Sequence, residues 1–120
     1  MKDYKYVDYL WDDQKAAELN ENQLELFLYR SNLLGADLRI TNYGGGNTSC
    51  KTLEKDPLTS EEVEVMWIKG SGGDIGTLTR SGIAGLYTER LRNLKKVYRG
   101  LEDEDRMVGL FNHCIFDLES

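Results

Sequence analysis

Apolar residues recur at helical spacing in some parts of the chain and alternate with polar ones in others. Leu24, Phe27, Leu28, Ser31 and Leu34 share one helical face, which predicts a helix from about Glu21 to Leu34. Asn20 suits its N-cap, with Gln23 three residues on as the reciprocal partner of a capping box. Gly35 suits the C′ position, where a left-handed residue ends a helix. Leu38 to Tyr43 alternates and contains β-formers, so it reads as a strand. Asn47-Thr48-Ser49 and then Cys50-Lys51-Thr52-Leu53 can form the return strand of a hairpin. Glu54 to Glu62 holds the only proline, Pro57, and reads as an exposed turn. Val63 to Lys69 is the clearest strand of all.

The stretch after residue 77 permits two readings. Ile83, Leu86, Arg90, Leu94 and Val97 keep helical spacing. Gly82 and Gly85, however, would each weaken a helix by about 1 kcal/mol relative to alanine. A strand over 82–87 fits better, with Thr88 capping a helix from about Glu89 to Arg99. Met107, Leu110, Phe111, Cys114 and Leu118 give an apolar face to a last helix from about Glu104 to Phe116. Tyr4, Tyr6, Tyr9 and Trp11 suit an N-terminal arm laid over its own core. The order is helix, hairpin, strand, strand, helix, helix. That predicts an α/β or α+β sandwich with a largely antiparallel central sheet flanked by helices, as one domain over residues 1–120.

Composition narrows the function. The chain is 40% hydrophobic and 30% charged, ordinary values for a globular protein. Its apolar runs, such as Val65 to Ile68, are far too short to cross a membrane. Met1-Lys2-Asp3-Tyr4 leads into charge, so no secretory signal is expected. The net charge of −6 disfavours nucleic acid and anionic membrane as partners. An anionic ligand must therefore be held by a local site acting against the overall field. Cys50 and Cys114 have no CxxC spacing, and a cytoplasmic chain is expected to keep them as free thiols.

The candidate chemistry lies in two glycine-rich loops. Gly44-Gly45-Gly46-Asn47-Thr48-Ser49 follows one predicted strand and Gly70-Ser71-Gly72-Gly73-Asp74-Ile75-Gly76-Thr77 follows another. Glycine lets backbone approach a ligand closely, and successive N–H groups form an anion-binding nest. Serine, threonine and asparagine add neutral donors. Lys51, Lys69 and Arg80 stand within a few residues and supply positive charge. The arrangement suits a phosphate. It does not suit a dinucleotide: GxGxxG fails at Ile75 and at Ser49, and GxxxxGK[ST] has no match. From loop composition alone, two tight turns without a ligand fit equally well.

Leu33-Leu34-Gly35-Ala36-Asp37, Gly44 to Ser49 and Ile68-Lys69-Gly70-Ser71-Gly72 together resemble the class II aldolase/adducin family. The likeness runs from about Leu24 to Leu118. Lys69 to Thr79 and Leu86 to Leu91 are most similar to the branch that fuses an aldolase domain to a short-chain dehydrogenase. That branch is associated with rhamnulose-1-phosphate aldolase and lactaldehyde dehydrogenase activities. The resemblance implies zinc-assisted cleavage of a ketose 1-phosphate, with zinc acting as a Lewis acid. For L-rhamnulose 1-phosphate the products are dihydroxyacetone phosphate and L-lactaldehyde. It also implies that Gly46, Asn47, Thr48, Ser49, Ser71 and Gly72 hold the phosphate. Lys69 is added from charge and position. Family members are commonly tetramers, so a homo-oligomer is expected.

The sequence departs from that pattern in one respect. A catalytic zinc takes three protein ligands plus water. The family places its catalytic acid and histidine ligands downstream of the last helix, and His113 is the only histidine here. The expectation is a phosphate-binding portion that is truncated before the zinc-binding segment, carries no catalytic or metal residue and is inactive by itself. It should leave an apolar face uncovered and self-associate. A non-catalytic adducin-like scaffold and an unrelated phosphate- or nucleotide-binding module are the alternatives.

Overall fold

The structure, a computed structural model, describes residues 10–38, 46–70 and 72–117. It contains helices α1 (Asp13–Glu18) and α2 (Gln23–Ala36), strands β1 (Ser49–Lys55), β2 (Glu62–Lys69) and β3 (Ile83–Tyr87), and helices α3 (Thr88–Val97) and α4 (Glu104–Phe111). Single 3₁₀ turns lie at Ile75–Thr77, Arg80–Gly82, Leu101–Asp103 and Asn112–Cys114. The strands form one antiparallel sheet in the order β1-β2-β3. No helix among the described residues is long and apolar enough to cross a membrane.

Several expectations need correction. Helix α2 starts and ends two residues later than its periodicity suggested. Its N-cap is Asn22, whose Oδ1 accepts from Glu25 N at 3.1 Å, so the Asn20–Gln23 box does not form. Gly35 lies inside the helix, and Asp37 is the C-cap. Helix α1, capped by Asp12 through Gln14 N and Lys15 N, was not foreseen. Thr88 is the first residue of α3 and not its cap; that position belongs to Tyr87, which makes no side-chain cap bond. Helix α4 stops at Phe111, five residues short of the expected end, and the chain tightens into the turn Asn112–Cys114. The expected strand 38–43 and most of the N-terminal arm lie outside the described residues.

Strand β1, the expected return strand, pairs with β2, while residues 39–43 of the strand expected to pair with it lie outside the described residues; the turn between β1 and β2, expected to be exposed, is not wholly so. Asp56 is buried, and its Oδ1 accepts from Leu58 N at 2.8 Å and Thr59 N at 3.1 Å. These charge-assisted bonds hold the chain across Pro57.

The chain divides into two compact units, one of Met1–Ser49 with Ile68–Ile83 and one of Cys50–Trp67 with Ala84–Ser120. In the first, Phe27, Leu28, Ile75, Leu78 and Ile83 form the buried core. Helix α2 meets the turn Ile75–Thr77 backbone to backbone. A Cβ on Gly35 would run into Gly76 N, and one on Gly76 would lie 2.9 Å from Gly35 O. Asn32 fastens the same turn, with Nδ2 donating to Ile75 O and Leu78 O, each at 3.1 Å.

In the second unit, Val65, Trp67, Leu86 and Cys114 are buried. Trp67 Nε1 donates to Thr52 Oγ1 at 2.8 Å, and Phe116 stands edge-on to Trp67 and Tyr87. Gly85 is required because a Cβ there would lie 2.7 Å from the Trp67 ring. Arg90 stacks over Tyr87 at 4.1 Å and donates to His113 O at 2.8 Å. No disulfide joins Cys50 and Cys114.

Candidate phosphate-binding site

The first unit brings the ends of the two glycine loops together. Lys69 N donates to Thr48 O at 3.1 Å, so the end of the first loop pairs with the start of the second. Gly46 adopts φ +93°, a conformation that favours glycine. A Cβ there would lie 3.1 Å from Ile75 Cγ2, so the first loop also leans on the buried isoleucine of the second. Gly70 N donates to Gly82 O at 2.8 Å, which folds the second loop back on itself.

The side chains of the first loop divide in what they can offer. Ser31 Oγ donates to Phe27 O at 2.8 Å and lies 2.9 Å from Thr48 Oγ1. A hydroxyl has one proton. With Ser31's spent on Phe27, Thr48 must donate to Ser31, so Thr48 can offer a ligand its backbone N–H but not its hydroxyl proton. Asn47 and Ser49 are exposed, and the Ser49 carbonyl accepts from Arg30 Nη2 at 3.1 Å.

Beside the second loop is a cavity of about 300 Å³ lined by Lys69, Gly70, Asp74, Thr77, Thr79 and Ser81 among others. Lys69 is only 8% exposed, yet its ammonium has one partner among the described residues, Gly70 O at 3.1 Å. An ammonium carries three donors, and a buried charge needs pairing or solvation. The remaining donors of Lys69 therefore call for an anion or water in that cavity. Gly72, at φ +86°, and Gly73 leave open space where a side chain would stand. Thr79 Oγ1 and Ser81 Oγ lie 3.1 Å apart.

Of the residues singled out in the sequence, Lys69 lines the cavity. Gly46 to Ser49 reach the site by way of the Thr48–Lys69 backbone bond and are not among the residues lining it. Ser71 lies outside the described residues. Lys51, exposed on β1, belongs to the other unit, and Arg80 lines a separate cavity of about 370 Å³ with Lys15, Glu25 and Tyr29. Asp74, Thr77, Thr79 and Ser81 were missed as cavity residues. Their only signal was a run of hydroxyl and carboxyl side chains after the glycines.

The described residues do not fit a catalytic zinc. No three His, Cys, Asp or Glu among them gather closely enough to hold a metal ion. His113 is exposed in the turn after α4.

This is the fold of a class II aldolase domain. A solved structure, the N-terminal class II aldolase domain of a conserved protein from Thermoplasma acidophilum, superposes with a TM-score of 0.64 at 24% identity, covering 98% of this chain and 49% of that one. The chain is also 44% identical over 111 residues to the uncharacterized oxidoreductase YuxG of Bacillus subtilis (strain 168). That match takes in 92% of this chain and 16% of the relative, so the chain spans about half of the aldolase-domain structure and a sixth of the oxidoreductase. No protein-family profile matches the chain.

Proposed function

We propose that this chain belongs to the class II aldolase/adducin family and is the phosphate-holding part of a sugar-phosphate aldolase. Its substrate class is a ketose 1-phosphate, and L-rhamnulose 1-phosphate, cleaved to dihydroxyacetone phosphate and L-lactaldehyde, is the member we favour. The reading rests on Lys69: a buried lysine whose ammonium has one carbonyl partner among the described residues, lining an open cavity at the join of two glycine loops. A scaffold has no use for such a group, because an unpaired buried charge costs stability. The aldolase-domain fold supports the reaction class. The oxidoreductase name of the similar Bacillus protein supports a parent in which a dehydrogenase accompanies the aldolase domain.

On this reading the chain's own residues bind and orient. Lys69 supplies charge, the backbone N–H groups of 46–49, Gly72 and Gly73 supply donors, and Asn47 and Ser71 complete the set. With His113 its one histidine, the chain falls short of the three protein ligands of a catalytic zinc, so on this reading it does not turn over substrate by itself. The working form is a homo-oligomer in the cytoplasm.

Calorimetry with dihydroxyacetone phosphate tests this. The chain should bind it, Asn47→Ala and Ser71→Ala should each weaken binding, and Lys69→Met should abolish it. Binding that survives Lys69→Met unchanged would overturn the assignment.

A further inference from the structure

Lys69 shares its cavity with a carboxylate. Asp74 lines the same 300 Å³ space, and no ion pair joins the two among the described residues. Asp74 caps the turn Ile75–Thr77, its Oδ1 accepting from Gly76 N at 3.4 Å. That single long bond leaves most of the carboxylate's acceptor capacity unused among the described residues.

An ionised carboxylate can only accept hydrogen bonds, and so can a phosphate dianion. Inorganic phosphate or a simple alkyl phosphate would satisfy Lys69 and still face Asp74 as a like charge, with no proton between them. A polyol phosphate differs, because its hydroxyls bring donors. The cavity is at the small end of ligand-pocket sizes, suited to a phosphate with a short carbon chain and not to a nucleotide.

We propose that Asp74 selects phosphate esters that carry a hydroxyl close to the phosphate, by accepting that hydroxyl's hydrogen bond while Lys69 holds the phosphate. This rests on the phosphate reading above and narrows it to hydroxylated short-chain phosphates. Thr79 and Ser81 also line the cavity; one of their hydroxyls donates to the other, which leaves one hydroxyl proton of the pair for a ligand.

The test compares glycerol 3-phosphate with n-propyl phosphate, equal in length and differing in hydroxyls, by calorimetry on the full chain. Wild type should favour glycerol 3-phosphate by roughly tenfold, the scale of a hydrogen bond to a charged acceptor. In Asp74→Asn the preference should fall to about threefold or less, as expected when a neutral partner replaces a charged one. Propyl phosphate should bind more tightly as the repulsion disappears. Asp74→Ser, which also retains a capping oxygen, should behave alike and guards against a folding defect in the first variant. If wild type binds both esters and neither variant alters their ratio, the role of Asp74 is refuted and the phosphate site stands. If wild type binds neither, the phosphate site falls and this inference falls with it.

Discussion

Gly35 and Gly76 pack backbone against backbone, helix α2 on the 3₁₀ turn of the second glycine loop, with no room for a methyl group on either. The contact sets how closely α2 approaches the loop that carries the candidate site. Alanine at Gly35 would gain about 1 kcal/mol of helix propensity. The new Cβ would meet backbone and not a yielding side chain, so overpacking should win, with a net loss of about 2 kcal/mol. Urea denaturation of Gly35→Ala checks this. Gly73→Ala, where a Cβ meets nothing within 4 Å, is the near-neutral control.

Thr52 and Trp67 form a second such dependence. Thr52 Oγ1 accepts from the indole at 2.8 Å and donates to Glu54 Oε1 at 2.7 Å. Thr52→Val keeps the shape and removes the Thr52 acceptor of the buried indole N–H, which should destabilise by about 1–3 kcal/mol. Thr52→Ser should recover most of that loss in the same denaturation series.

Acid should weaken the protein through Asp56. The Leu58 and Thr59 amides hold its carboxyl below the ordinary 3.8; the Tyr87 hydroxyl and Arg90 add to this against an opposing burial effect. A depressed carboxylate contributes stability that is present above its unfolded value and lost as pH falls through the lowered one. Thermal melts should therefore lose stability below about pH 4, and Asp56→Asn should flatten that limb. A limb that stays equally steep in the variant would rule Asp56 out as its source.

The two thiols should react at different rates. Cys114 is 1% exposed, and burial pushes its thiol above the ordinary 9.0, with Arg90 opposing in part. Cys50 is half-buried. Since the thiolate is the reactive form, maleimide at neutral pH should modify Cys50 first and reach Cys114 only in urea. Peptide mass mapping would show the order.

Among the described residues the local pattern located the strands and every helix of eight residues or more, but missed α1. Val63 to Lys69 reads as a strand, the glycines of 82–87 count against a helix, and strands occupy Glu62–Lys69 and Ile83–Tyr87. Helix ends were less legible. Asn20 and Asn22 are chemically equal caps, and only the packing of α2 selects between them. Gly35 illustrates the same limit: a glycine after an apolar helical run fits a cap equally well, and its actual role is visible only from Gly76, 41 positions away. The site divides along the same line. Glycine loops with hydroxyl, amide and lysine side chains are a property of sequence, and they point to a phosphate before any fold is known. Which side chains turn toward a ligand is not such a property. The Thr48 hydroxyl is claimed by Ser31, Lys69 is buried with one ammonium partner among the described residues, and Asp74 joins it in one cavity. Each of these depends on which residues distant in the chain come within bonding distance. Local composition does not encode that, because hydrogen bonds and burial are set by neighbours in space.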